Sequence, residues 1–293
     1  YLSQAINNNL TGNNASNNND AGFFLQTNSN GNALNSNLAQ NTTNLSSSYG
    51  YGYYIVNSNN NTLNSNKAYN NIRGMKLEVA NDNNLTGNNV STCNADAYTL
   101  QSARRNRLVN NYASGCSVGV YLATTSSTDN ILFNNTFAGG AQHGVQLVTA
   151  GGGNNVTQNT AYGYAYNGFY ILNTNTVNFF VNNTAYNNPI GFNITGSNNS
   201  VYSYNTGRNT AQIGFALFQS NSNNLSWNSA YLNTVDGFLL QSSNGNRLLN
   251  NSAYNNIAGI YLSGSGSNNL TGNNVYNNSN IGIQLMSSSS LNR

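Results

Sequence analysis

Residues 246–274 read NRLLNNSAYNNIAGIYLSGSGSNNLTGNN, and this stretch contains one complete copy of a pattern that fills the chain. An aliphatic anchor, Leu248, is followed after three residues by Asn251 and after eleven by Gly259. The next copy begins at Leu270, 22 residues after Leu248. A fixed period of about 20–50 residues is typical of solenoids, in which similar units stack on one another.

The pattern occurs twelve times, with anchors separated by 21–29 residues. The anchors are Leu10, Leu34, Leu63, Leu85, Leu108, Leu132, Val156, Phe180, Val201, Leu225, Leu248 and Leu270. The Asn residues three positions after an anchor are Asn13, Asn37, Asn66, Asn88, Asn111, Asn135, Asn159, Asn183, Asn228, Asn251 and Asn273. The ninth copy has Tyr204 at this position, which predicts a local distortion of that turn.

Each copy also contains a short apolar–variable–apolar segment, usually introduced by Gly, as in Ile260, Tyr261 and Leu262 after Gly259. A two-residue period indicates a strand with one buried face. Such short strands, occurring once per copy, can stack in parallel about 4.8 Å apart. The sequence therefore predicts an all-β, single-stranded parallel β-helix of about twelve coils, with residues 1–293 forming one domain. Its core should contain a stacked aromatic column, formed by Phe169, Phe192, Phe215 and Phe238.

Asparagine is the most distinctive residue type, with 70 in 293 residues. Asn tolerates the left-handed backbone of tight turns, and its side chain bonds to neighbouring backbone groups. Identical amides stacked at one position can also form a hydrogen-bonded ladder. We therefore interpret the eleven Asn residues after the anchors as a structural ladder rather than a binding site.

Charge is scarce: only 5% of residues are charged, and the formal net charge is +3. This balance does not indicate a nucleic-acid partner, and Arg104, Arg105 and Arg107 are interpreted as solvated turn residues. No stretch approaches the roughly 20 apolar residues of a membrane span. The chain has no secretory leader pattern and begins within a repeat, which suggests a processed product or part of a longer protein.

Cys93 and Cys116 each lie eight residues after an anchor in adjacent copies. Equivalent positions about 4.8 Å apart fall within the Cα–Cα range of a disulfide. A bridge would tie two coils together and would indicate an oxidising, extracytoplasmic location, whereas two free buried thiols are the alternative.

Residues 246–274 and the run NNLTGNNVYNNSNIGIQL at 268–285 resemble the right-handed parallel β-helix repeats of NosD-like proteins. Similar repeats occur in archaeal and bacterial surface proteins of the pectate-lyase-like superfamily, and the resemblance extends from Leu10 to Leu285. It implies a right-handed coil but no single function, because this scaffold carries lyases, hydrolases, adhesins and passive fibres. The copper-related role of NosD is not expected, because His143, Met75 and Met286 are far apart.

Catalysis is also not expected. Polysaccharide lyases and hydrolases of this fold use clustered carboxylates, and here no two carboxylates share a position in adjacent copies. Glu78 lies near Lys76 and Arg73 and is interpreted as part of an ion pair between coils. The only histidine, His143, is interpreted as a surface turn residue. We expect no catalytic residues, no metal site and no cofactor.

Two non-catalytic functions remain: a carbohydrate-binding adhesin or spike, and a structural subunit of an extracellular filament, sheath or surface layer. The adhesin would use tyrosines six residues after the anchors as stacking platforms, namely Tyr69, Tyr162, Tyr186, Tyr231, Tyr254 and Tyr276. The second hypothesis is favoured, because a nearly uncharged surface opposes solubility unless the protein assembles or carries glycan.

Sixteen Asn-x-Ser/Thr sequons are present, although the repeat creates many of them by itself. The glycosylation candidates are Asn14, Asn41, Asn44, Asn89, Asn193 and Asn277. Neither end of the chain has a capping segment, so the sequence predicts a cell-surface homopolymer that assembles through its terminal coils. Caps supplied by flanking sequence or by a partner are the alternative.

Overall fold

The computed structural model of the protein describes residues 1–43 and 49–293. Three parallel ladders of short strands run along the molecule, and the chain crosses each ladder once per coil. We number the coils 1 to 12 by their anchors. The three ladders are called the anchor sheet, the tyrosine sheet and the glycine sheet.

The anchor sheet is built from strands of three residues whose central side chain points inward. Its strands are Asn9–Thr11, Ala33–Asn35, Thr62–Asn64, Asn84–Thr86, Arg107–Val109, Ile131–Phe133, Asn155–Thr157, Phe179–Val181, Val201–Ser203, Asn224–Ser226, Arg247–Leu249 and Asn269–Thr271.

The tyrosine sheet follows in each coil after a turn of two residues. Its strands are Asn14–Ser16, Leu38–Gln40, Lys67–Tyr69, Thr136–Gly140, Thr160–Tyr164, Thr184–Tyr186, Thr206–Arg208, Ser229–Tyr231, Ser252–Tyr254 and Asn274–Tyr276. In coils 4 and 5 the long strands Asn89–Gln101 and Tyr112–Ala123 continue from this sheet into the next one.

The glycine sheet holds the apolar–variable–apolar segments. Its other strands are Leu2–Ser3, Ala21–Gln26, Tyr51–Val56, Arg73–Glu78, His143–Val148, Asn167–Leu172, Ile190–Thr195, Ile213–Phe218, Asp236–Gln241, Ala258–Ser263 and Ile281–Met286. The prediction of a parallel β-helix of about twelve coils is confirmed. Among the described residues there is no helix long and apolar enough to span a bilayer.

The core lies between the three sheets and consists of columns of like residues. Phe169, Phe192, Phe215 and Phe238 are fully buried, and each ring is parallel to the next at centroid distances of 4.6–4.9 Å. The aromatic column therefore lies inside, as the register of the repeats predicts. The inward Gly positions are tight: a Cβ at Gly214 would lie 2.8 Å from the carbonyl oxygen of Gly237.

The predicted Asn ladder is present, and each amide between the two end members makes the same set of bonds. In coil 5, Asn111 Nδ2 donates to Asn135 Oδ1 at 3.0 Å and to the Leu85 carbonyl at 2.9 Å. The Asn111 backbone N–H donates to the same Asn135 Oδ1 at 2.8 Å. Each side chain thus satisfies buried backbone groups of one coil while it bonds to the next.

The ninth copy requires a correction. Its anchor is Tyr202, not Val201, because Tyr202 is in register with Phe180 and Leu225 and is fully buried. The ladder residue is then Asn205, which bonds to Asn183 and Asn228 like every other member. The predicted distortion at Tyr204 is therefore wrong. Val201 points outward because inward positions alternate along the strand.

A second Asn ladder, which the repeat pattern alone did not predict, runs two residues before the anchors. In coil 5, Asn106 Nδ2 donates to Asn130 Oδ1 at 3.2 Å and to the Ala80 carbonyl at 2.9 Å. Ser200 replaces Asn in coil 9, where its hydroxyl accepts from the backbone of Asn178. An Asn two residues before the anchor in every coil except coil 9 was the available sequence signal.

Candidate functional site

Most of the outer surface of the glycine sheet is neutral, but coils 2–5 carry charged and aromatic side chains together. A depression of about 230 Å³ is lined by Tyr51, Arg73, Lys76, Asp96, Thr99, Gln101 and Tyr121. We call these residues, together with Tyr54 and Glu78, the charged cluster. They share one face because the variable residues of successive strands point outward in register.

The groups of the charged cluster bond to one another. Lys76 Nζ lies 2.8 Å from Glu78 Oε2, and the hydroxyl of Tyr54 donates to the same oxygen at 2.6 Å. The Lys76 ammonium also lies 5.7 Å and 5.6 Å from the ring centroids of Tyr51 and Tyr54, within cation–π range. The Glu78 ion pair therefore lies within one strand, which corrects the prediction of a pair between coils.

The two carboxyls of the charged cluster have opposite pKa shifts. Burial acts to raise the pKa of Glu78, but hydrogen bonds from Lys76 and Tyr54 outweigh it, so this pKa lies below its ordinary value. Burial raises the pKa of Asp96, and a hydrogen bond from Thr99 offsets this only in part. Lys76 and Glu78 of this cluster neutralise each other.

Two other carboxylates show contrasting environments. Asp82 accepts two hydrogen bonds from Arg105 of the next coil, at 2.7 and 2.8 Å, and these bonds lower the pKa of Asp82. Asp236 is 6% exposed, and within the described structure it has no ion pair or side-chain hydrogen bond. Burial raises the pKa of Asp236 to about 6. Within residues 1–43 and 49–293, no three His, Cys, Asp or Glu side chains group as a metal site would require.

His143 is not a turn residue as predicted, because it begins the strand His143–Val148 and pairs in register with Asn167. Its ring stacks on Tyr170 at 4.5 Å, and its Nδ1 lies 2.9 Å from the Asn167 amide. Burial lowers the pKa of His143 to about 4, so the ring is neutral at pH 7.

A copper site fits these residues poorly. Copper prefers imidazole and soft sulfur ligands, of which the chain has His143, Met75 and Met286 beyond its bonded cysteines. They occupy coils 6, 3 and 12, and Met75 is buried inside the core.

Cys93 and Cys116 form a disulfide between coils 4 and 5, with a Cα–Cα distance of 4.5 Å. This confirms the pairing that the equal spacing from the anchors predicts. The bond lies where the two long strands continue from the tyrosine sheet into the glycine sheet.

The glycosylation candidates differ in accessibility. Asn14, Asn89 and Asn277 are exposed, whereas Asn41 and Asn193 are half-buried. Asn44 lies outside the described residues. Accessibility alone therefore favours the first three as acceptors.

The outward tyrosines of the tyrosine sheet form a column with Arg208 between Tyr186 and Tyr231. The rings of Tyr231 and Tyr254 are parallel at 4.8 Å, and those of Tyr254 and Tyr276 are parallel at 4.9 Å. The Arg208 guanidinium lies 4.5 Å from the Tyr186 centroid. Because neighbouring ring faces cover one another, these stacked tyrosines present mainly ring edges and hydroxyls to solvent. Tyr69 lies apart from them: it is 48% exposed, and its neighbours in register are Gln40 and Ser91.

A different aromatic pair does present ring surface to solvent. Tyr204 and Trp227 lie in the turns between the anchor and tyrosine sheets of coils 9 and 10, and they are 57% and 54% exposed. Their rings are parallel within 5°, with centroids 6.2 Å apart. From the repeat pattern, Tyr204 was interpreted only as an interruption of the Asn ladder, and Trp227 was given no role.

Two family models match separate parts of the chain. The model "Right handed beta helix region" matches residues 150–293, and the model "Periplasmic copper-binding protein (NosD)" matches residues 35–143. Both agree with the right-handed coil that the resemblance implied. A search of curated proteins found no match.

Solved structures with the same fold include enzymes and adhesins. The periplasmic alginate epimerase AlgG superposes with a TM-score of 0.60 at 13% identity, covering 92% of this chain and 76% of AlgG. The Streptococcus pneumoniae surface protein and adhesin PfbA superposes with a TM-score of 0.53 at 12% identity, covering 100% of this chain and 90% of PfbA. At such low identity these likenesses establish the fold alone.

Proposed function

We propose that the protein is a non-catalytic structural rod of the cell surface or periplasm. The observation that carries the proposal is the continuous interior. One amide ladder and the apolar columns run through all twelve coils, and a second amide ladder is interrupted at Ser200, so the coils stack with a repeated geometry. Solenoids of this kind are held by contacts between neighbouring coils, and here a disulfide reinforces them.

An extracytoplasmic location is supported by three observations. Disulfides persist in oxidising compartments, and the two cysteines of this chain form a disulfide with each other. Several sequons are exposed. The matching NosD model describes a periplasmic protein, and the epimerase AlgG, which shares the fold, is periplasmic too.

The finer proposal is end-to-end assembly into a filament, with N-glycan on exposed turns. Assembly would repeat between copies the stacking found within one copy. Leu2 pairs with Leu25 in the first coils, and Leu285 belongs to the same column in coil 12. Leu285 is 47% exposed in this chain, and contact with the first coil of another copy would bury it.

Light scattering and electron microscopy of this chain test assembly. We expect concentration-dependent filaments that Leu285→Lys prevents, because a charge would enter the apolar column. Gln284→Lys is the matched control, since its side chain is the outward residue of the same strand. A stable monomer at high concentration would contradict the filament. Equal assembly by both variants would contradict the end-to-end contact.

Two further measurements test the remaining parts. Glycopeptide mapping of native material should find glycan on at least one of Asn14, Asn89 and Asn277. If all sequons are bare, the proposed glycosylation is wrong.

Incubation with neutral and acidic polysaccharides should release no products. Chain cleavage that Lys76→Ala abolishes would instead make the charged cluster an active site.

A further inference from the structure

The turns between the anchor and tyrosine sheets contain an exposed column that is adjacent in sequence to the first Asn ladder. Each of its residues immediately precedes a ladder Asn and adopts a left-handed backbone. The column consists of Gly12, Ser36, Ser65, Gly87, Asn110, Asn134, Gln158, Asn182, Tyr204, Trp227, Asn250 and Gly272. Ten coils thus use small or amide residues, and only coils 9 and 10 use aromatic ones.

The two aromatic residues are unfavourable for the local backbone. Tyr204 and Trp227 both have φ of 58°, a region that Gly and Asn adopt easily and that bulky side chains avoid. Their rings add nothing to the core, because both are more than half exposed. Strained residues that do not serve packing are a feature of binding and active sites.

Within the column, the neighbours of the pair are polar and neutral. Exposed Asn182 and Asn250 flank it in the coils on either side, and their amides offer both donors and acceptors. The hydroxyls of Ser203 and Ser226 lie beside the pair, 2.9 Å from each other. From Asn110 to Gly272 the column contains no group that is charged at neutral pH.

We infer that Tyr204 and Trp227 form a binding platform for a neutral glycan that lies along the axis of the coil. Sugar rings present C–H faces that pack on aromatic rings and hydroxyls that bond to amides, and the column supplies these groups in line, one coil apart. Aromatic side chains combined with a few placed polar groups are typical of ligand sites. An acidic glycan would require cations, and the column itself supplies none.

Trp227 is the only tryptophan of the chain, so its fluorescence reports directly on the platform. The full-length protein is titrated with cellohexaose and mannohexaose as neutral probes, and with polygalacturonate as an anionic comparison. We expect a saturable spectral shift with a neutral probe. In Tyr204→Asn the affinity should fall about tenfold or more. Trp227→Asn should abolish binding measured by calorimetry.

Asn is chosen because it occupies this column in other coils and suits the left-handed backbone. Leu232→Asn is the matched control, since Leu232 is also exposed with φ of 57° but lies in the next turn of coil 10. It should retain full affinity. No shift with either neutral probe, binding that survives Trp227→Asn, or preference for polygalacturonate would each overturn the inference. Filament formation should be the same in all three variants, so this test is independent of the proposed assembly.

Discussion

Tyr204 and Asn205 are adjacent in one turn, yet they obey different rules. Asn205 is buried, and its Nδ2 donates to the Phe180 carbonyl at 2.8 Å and to Asn228 Oδ1 at 3.1 Å. Its position holds Asn in every coil. The position of Tyr204 faces solvent and holds five other residue types in other coils. Buried positions of this solenoid encode the stack, and exposed turn positions can change without disturbing it.

The largest expected effect on stability comes from a substitution in the buried aromatic column. Phe192→Ala removes a ring that stacks on Phe169 and Phe215, both at 4.6 Å. The free energy of unfolding should fall by about 3–5 kcal/mol, as measured by thermal or denaturant melts. Phe179→Ala, on the exposed face of the neighbouring anchor strand, should change it by about 0.5 kcal/mol or less. Equal losses in the two variants would mean that the inward register is wrong.

The Asn ladder gives the next effect. Asn205→Ala removes the acceptor of the Asn183 backbone N–H and of Asn183 Nδ2. Each buried donor left without a partner costs about 1–3 kcal/mol, and a water molecule can enter the vacated space. We therefore expect a loss of about 2–4 kcal/mol in melts. Asn274→Ala, at an exposed strand position, is the control and should be nearly neutral. A neutral Asn205→Ala would show that the ladder accompanies the fold without stabilising it.

The sequence alone predicted the buried residues of the coils well and the exposed residues poorly. Period and alternation place Phe192 inside because a parallel stack repeats each inward position every coil. The disulfide follows from equal spacing of Cys93 and Cys116. The same reasoning failed at Val201, where an aliphatic residue was preferred to Tyr202 as the anchor. It brought Glu78, Lys76 and Arg73 together but did not place the tyrosines and Asp96 beside them, since the outward residues differ in type from coil to coil.

Asp236 is an exception to the contrast between buried and exposed positions, because it is an outward residue of the glycine sheet that is nevertheless buried. Its pKa is about 6 in the folded protein, against about 3.9 in an unfolded chain. Ionisation of the Asp236 carboxyl therefore lowers the free energy of unfolding. The protonated carboxyl contributes its full stability below about pH 4, and this contribution is lost as the pH rises through about 6. Asp236→Asn should raise the free energy of unfolding at pH 8 by at most about 3 kcal/mol.

Melts of the Asp236→Asn variant and its parent at pH 8 and pH 4 check this expectation. The gain should vanish near pH 4, where the parent carboxyl is protonated. Titration of His143 acts equally on both proteins and so cancels in the difference. A gain of the same size at both pH values would mean that charge at Asp236 is not the cause.

The smallest effect on stability is expected at the exposed turn. Tyr204→Asn relieves an unfavourable backbone, which costs bulky residues about 1–2 kcal/mol, but it also loses the stack with Trp227 at 6.2 Å. Stacked pairs contribute about 0.5–1.5 kcal/mol, so each single Asn variant should change the free energy of unfolding by between about −0.5 and +1.5 kcal/mol. The double variant Tyr204→Asn, Trp227→Asn loses that one stack but relieves two strained residues. The change in its free energy of unfolding should therefore exceed the sum of the two single changes by the stacking energy, as measured in melts of all four proteins.

If the double variant is the least stable of the four proteins, the pair is a structural element of the turn. In that case, the contrast between buried and exposed positions fails at the place where it is drawn most sharply.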